Sequence, residues 1–115
     1  MLNTEIQQVE IDIEDAKKAV ELGKSLKRLE ANRDFKKLIL EGYLVNEAAR
    51  MARLLGSSMV PEGVRDHLQR DILGPGALQS FFRNTALECE TATRVIAESH
   101  ETLDFLRAQE AEGEE

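Results

Sequence analysis

Three kinds of side chain in this sequence could carry chemistry: two histidines, one cysteine and a cluster of carboxylates. His100 sits in Glu98-Ser99-His100-Glu101, where acids beside an imidazole could hold a metal ion weakly. Neighbours one and two positions away do not share a helix face, so the expected role is an exposed helix histidine. His67, in Arg65-Asp66-His67, reads the same way. A ferritin-type di-iron site requires Glu-x-x-His on two helices, but the residues three before these histidines are Val64 and Ala97. Cys89 has no base or helix N-terminus near it in sequence to activate a thiolate, and reads as a small buried hydrophobe. Asp12, Glu14 and Asp15 resemble half a calcium loop, without the turn glycine or the closing glutamate. Gly74 and Gly76 flank Pro75 and lack the Lys-Ser/Thr of a phosphate loop, and neither HExxH nor CxxC occurs. No catalytic residue, metal ligand or cofactor is assigned, and the chain is expected not to be an enzyme.

Composition narrows the class further. The chain has 115 residues, 42% hydrophobic, 32% charged and only 4% aromatic, which suits a single domain with a modest core. Two prolines, seven glycines and few aromatics exclude an all-β sandwich built on frequent turns. A single cysteine excludes a disulfide-stapled fold. A net charge of −7 disfavours a duplex-DNA-binding module. The N-terminus has no basic region followed by an apolar one, and no run of 18 apolar residues occurs, so neither a signal peptide nor a membrane span is expected. The expected location is the cytoplasm, or a particle packaged from it.

Charge is sorted along the chain. Residues 1–23 carry net −4, residues 24–55 net +4, residues 56–84 net 0 and residues 85–115 net −7. Such sorting suggests that the basic segment faces an acidic neighbour, in this chain or in another copy, although solvated helix faces can differ in this way. Lys24, Lys27, Arg28, Arg33, Lys36 and Lys37 form the candidate contact block. Phe35 is the only aromatic among them, so stacking on nucleic acid would be poor and a protein-facing patch is the better reading.

The elements that must position these residues are helices. Thr4 is a plausible N-cap for a helix over 4–31, with Ile6, Val9, Ile13, Ala16 and Val20 as its stripe. The stripe then shifts to Ala19, Leu22, Leu26 and Leu29, with Gly23 at the shift suiting a close helix contact. Asn32 or Asp34 can cap a second helix over 35–55, whose stripe runs Phe35, Leu38, Ile39, Gly42, Leu44 or Val45, Ala48, Ala49, Ala52 and Leu55. Gly56 should end this helix as the residue after its last turn. A short helix over 61–73 begins at Pro61 and is stopped by Gly74-Pro75-Gly76. In the last helix, over 77–109, Leu78, Phe82, Thr85, Cys89, Ala92, Ile96, Ser99, Leu103 and Leu106 alternate steps of four and three without a break. That repeat predicts a coiled-coil seam. The acidic tail, 110–115, should be solvated. The expected fold is all-α: an antiparallel helical hairpin or bundle of two long and two short helices in one domain, 1–115.

The stretch 26–50 resembles a family. Its Asp34-Phe35-Lys36-Lys37…Glu41-Gly42-Tyr43…Glu47-Ala48-Ala49-Arg50 string, with Glu21-Leu22-Gly23 before it and Asp71-Ile72-Leu73-Gly74 and an acidic tail after it, is similar to small helical proteins of tailed, podovirus-like bacteriophages. The resemblance spans roughly 15–112 and brings no active site with it. Genes of this family sit near those for portal, scaffold and capsid. The resemblance therefore implies a virion-associated or assembly protein that binds portal, capsid or scaffold, located in the cytoplasm of the infected host cell or in the virion. Seams lined by small residues leave a shortfall in burial that favours an oligomer. Tyr43 and Arg50 join the candidate interface because Tyr and Arg are enriched at hot spots, although for Tyr43 a half-buried core residue near Phe35 is the preferred reading. The alternative is a small cytoplasmic regulator that binds a protein or nucleic acid through the basic block 24–37.

Overall fold

In the computed structural model, residues 2–113 are described; Met1 and the last two acids of the expected tail, Glu114 and Glu115, lie outside them. Helices account for nearly all of these residues, and no strand occurs among them. Helix α1 spans Leu2–Ala31, so Thr4 lies inside the helix and does not cap it. After Asn32 come a single turn, α2 (Arg33–Phe35), a π-helix (Lys36–Glu47) and α3 (Ala48–Leu55). Helix α4 spans Glu62–Asp71 and α5 spans Leu73–Gly113.

The expected α-helix over 35–55 is therefore only partly α-helical. Asn32 is the cap: its side-chain oxygen accepts the Phe35 backbone N–H at 2.9 Å. From Lys36 the chain winds in a π-helix, whose i→i+5 bonds make a turn wider than the α turn of about 3.6 residues. The wider turn changes which residues face inward. Phe35, Ile39, Leu40, Tyr43, Leu44, Glu47 and Ala48 are half-buried, recurring every four or five positions. Leu38, placed inside by α periodicity, is turned out and stands 68% exposed; of the alternatives Leu44 and Val45, Leu44 is the half-buried one and Val45 is 60% exposed.

Gly74-Pro75-Gly76 does not stop a helix; it lies in the first turn of α5. Proline is tolerated there because first-turn N–H groups have no intrahelical acceptor to lose. Pro61 precedes α4 as its N-cap, with extended backbone (φ −57°, ψ 148°), and its carbonyl accepts the Arg65 N–H at 2.9 Å. Gly56 takes a helical φ of −78° as the C-cap of α3, and its N–H donates to the Ala52 carbonyl. At the tail, the α5 helix continues through 110–113.

The chain divides into two compact units, Met1–Ser25 with Thr85–Glu115, and Leu26–Asn84. In the first unit, Ile6, Ile13, Leu103 and Leu106 form a buried cluster with Leu2 and Val9 packed against it. Burying a side chain of this kind is worth about 1.5–3 kcal/mol. Arg107 donates to Glu10 at 3.2 Å, and the Cys89 thiol donates weakly to the Val20 carbonyl at 3.7 Å. Gly23 is buried, with Cys89 in the space its side chain would fill. In the second unit, Leu26, Met51, Leu68 and Pro75 are buried. Phe35 and Phe82 meet edge to face, with centroids 5.8 Å apart. The Arg65 guanidinium donates to the carbonyls of Leu55 and Ser57, the latter at 2.6 Å, closing the corner between α3 and α4.

Candidate functional site

Among the described residues, no group of three or more His, Cys, Asp or Glu could hold a metal ion, and no helix is long and apolar enough to cross a membrane. His67 and His100 are exposed, and Cys89 is half-buried.

The candidate interface residues fall into three situations. Lys24, Lys27 and Arg28 stand at i, i+3 and i+4 on α1 and so share one helix face. Lys24 belongs to the first unit and reaches Glu21 at 3.5 Å, while the other seven candidates belong to the second. Arg33, Lys36 and Lys37 surround the start of the π-helix and are exposed. Among the described residues, Lys27, Arg33, Lys36 and Lys37 enter no ion pair.

Tyr43 and Arg50 are engaged within the second unit. Tyr43 is half-buried, and its hydroxyl occupies the space a side chain at Gly74 would need. Arg50 grips Glu47 with two hydrogen bonds, Nε to Oε2 at 3.0 Å and Nη2 to Oε1. Those bonds, with the guanidinium charge, hold Glu47 below the usual carboxylate range against the opposing effect of desolvation. The same pair raises Arg50 above its ordinary value.

Sequence reasoning did not single out a groove on the first unit. It has a volume of about 470 Å³ and is lined by Asp12, Asp15, Ala16, Leu87, Glu88, Thr91, Ala92 and Val95. Ala16 and Ala92 are its buried floor, Leu87 stands in its wall 53% exposed, and three carboxylates but no basic side chain border it. That volume is in the range of small-molecule sites, but a wall residue half open to water does not enclose a ligand. The available signal was Leu87, Thr91 and Val95, an i, i+4, i+8 row beside the α5 repeat.

Comparisons of the chain with protein-family models, with curated proteins and with solved structures gave no match.

Proposed function

We propose that this protein is a non-enzymatic adaptor that works through protein–protein contacts, as a virion-associated or assembly factor of a tailed bacteriophage binding portal, capsid or scaffold protein and associating with copies of itself. The observation that carries the interaction role is the balance of apolar surface. Among the described residues, eleven large hydrophobic side chains are exposed, against nine buried hydrophobic residues of which two are alanine. A chain of this size gains little from burial within itself, so further burial against partners is the expected remedy. The phage assignment rests on the Asp34–Arg50 string and its flanking elements. In the proposed arrangement, residues 2–25 and 85–113 form an antiparallel hairpin with a heptad seam. Gly23 beside Cys89 and Glu10 beside Arg107 support it, because positions rising along α1 meet positions falling along α5.

Mass spectrometry of purified particles, with copy number determined against the major capsid protein, tests the virion role. Many copies per particle are expected; a protein absent from both mature particles and assembly intermediates overturns it. The alternative of a regulator acting through 24–37 is favoured by the exposed Lys27, Arg33, Lys36 and Lys37. It requires nucleic-acid affinity that falls steeply with salt, or capture of a non-structural partner.

A further inference from the structure

Two anchors hold the stretch from Arg33 to Leu55 within the second unit, and a plain α-helix cannot serve both. Phe35 meets Phe82 edge to face, and Met51 is 3% exposed. They lie 16 positions apart, so winding at about 3.6 residues per turn would leave them about 160° apart around the axis. The π-helix over Lys36–Glu47 removes that mismatch, because its wider turn advances fewer degrees per residue. π winding is mostly confined to single turns, so a run of 12 residues is maintained by these tertiary contacts and not by local preference. Tyr43 adds a third contact, its hydroxyl lying where a side chain on Gly74 would go. Gly42 leaves room for the winding: an added Cβ would lie 2.9 Å from the Lys37 carbonyl oxygen, five residues back, where a π bond takes its acceptor.

The same residues carry a second pattern. Phe35, Leu38, Gly42, Val45, Ala49 and Ala52 are spaced 3-4-3-4-3, a stripe that α winding brings to one side. With the segment wound as a π-helix, Leu38, Val45, Ala49 and Ala52 are all exposed. We propose that 36–47 is a winding switch. The π form, selected by the larger inward set of Tyr43, Leu44, Met51 and Leu55, exchanges with an α form in which Leu38, Val45, Ala49 and Ala52 turn inward in their place. With Phe35 held, the α form carries Leu44 and Met51 to the far side, about 180° and 160° away, and takes Tyr43 off Gly74. Two preferences oppose each other: the π form buries more apolar side chain, and the α form has the commoner backbone bonding. Whatever holds Leu44 and Met51, or Leu38 and Val45, then selects the winding.

Tyr43 is the only tyrosine and the chain has no tryptophan, so tyrosine emission from the full chain reports on this segment alone. G42A obstructs the π form, and acrylamide quenching of that emission is expected to rise in it by roughly twofold as the half-buried ring becomes exposed. In G42A/L38K/V45K quenching should return to the wild-type value. Lysines are tolerated where Leu38 and Val45 are exposed, but turning both inward in the α form would bury two charges. A folded G42A with unchanged quenching overturns the switch. So does a triple variant that stays as accessible as G42A, since that is loosening without rewinding. A second test leaves Gly42 in place and follows thiol labelling in a C89A background. A single cysteine is introduced by Met51→Cys or, as a control outside the segment, by Leu68→Cys, both positions being buried. L38K/V45K should slow labelling at position 51 severalfold, by depopulating the form that carries it outward, and leave position 68 unchanged. Equal effects at the two positions, or none at 51, overturn the switch even if G42A fails to fold.

Discussion

The Tyr43 hydroxyl fills the space that a side chain on Gly74 would occupy, so the π-helix and the first turn of α5 are fitted to each other at this point. The tyrosine ring carbon bearing that hydroxyl would stand 3.5 Å from an added Cβ, an ordinary contact. The obstacle to a larger residue at Gly74 is therefore the hydroxyl oxygen alone. Gly74→Ala is expected to destabilise the protein by about 1–3 kcal/mol through overpacking. In a Tyr43→Phe background the same change should be neutral, or stabilising by up to about 1 kcal/mol through helix propensity. Denaturant midpoints of the four proteins of this cycle give the coupling directly.

The Gly23–Cys89 approach should behave differently. An added Cβ at Gly23 would meet both the Cβ and the Sγ of Cys89, so shortening the cysteine to alanine leaves the first obstacle in place. Gly23→Ala is expected to cost about 1–3 kcal/mol despite its gain in helix propensity. Cys89→Ala should not rescue it. Thermal unfolding checks this, and full rescue by Cys89→Ala would show that the sulfur alone sets the spacing.

How far the sequence carried these features depended on which period governed each segment. In α5 every residue of the predicted repeat, from Leu78 to Leu106, is buried or half-buried, because an uninterrupted α-helix keeps a seven-residue pattern on one side. The first half of α1 follows its predicted stripe for the same reason, whereas Leu22 and Leu29 of the shifted stripe are exposed. The π register is hidden in the sequence because the expected stripe mixes residues that turn inward, Phe35, Ile39 and Ala48, with apolar ones that turn out, Leu38, Ala49 and Ala52. Apolar residues on both registers leave periodicity undecided, and tertiary packing chooses. Gly74-Pro75-Gly76 reads as a stop in sequence, yet a helix start tolerates the same residues. The basic block was visible in the sequence. The acidic groove was not, since Asp12 and Asp15 lie some seventy-five positions from Glu88 and meet it only through folding.

The winding of 36–47 predicts a labelling pattern. In a Cys89→Ala background, single cysteines at Leu38 and Val45 should react with a thiol reagent at rates close to those of an exposed thiol. A cysteine at Ile39 should be slower, because Ile39 is half-buried. Gly42 contributes to this winding: a Cβ there would lie 2.9 Å from the Lys37 carbonyl oxygen, five residues back. Gly42→Ala is expected to press the segment toward the narrower α turn, slowing labelling at Val45 and Leu38. Equal rates at Leu38 and Ile39 in the parent would contradict the π register.

Arg65 holds the corner after α3 by donating to two carbonyls that no helix bond satisfies. Arg65→Ala leaves both without the guanidinium and is expected to cost about 1.5–3 kcal/mol. Lysine can keep the charge but cannot reproduce the planar fork, so Arg65→Lys should recover only part of the loss. Urea unfolding of the three proteins distinguishes a charge effect, restored by lysine, from a geometric one.

The Glu47–Arg50 pair predicts an acid dependence of definite sign. Glu47 has its carboxyl below the ordinary value in the folded chain, chiefly because Arg50 donates to it. A carboxylate that binds protons less readily when folded stabilises the protein above its unfolded value, and that contribution is lost as pH falls through the lowered folded value. Glu47→Gln should therefore weaken the protein at neutral pH, and the difference from wild type should shrink as the solution is acidified below the ordinary carboxylate range. Arg50 is exposed and the half-buried Glu47 side chain still keeps 36% of its surface in contact with solvent, so added salt should reduce the difference as well. Chemical denaturation at several pH values measures it. A difference that persists unchanged into strong acid would mean that Glu47 acts through packing against its half-buried neighbours and not through its charge.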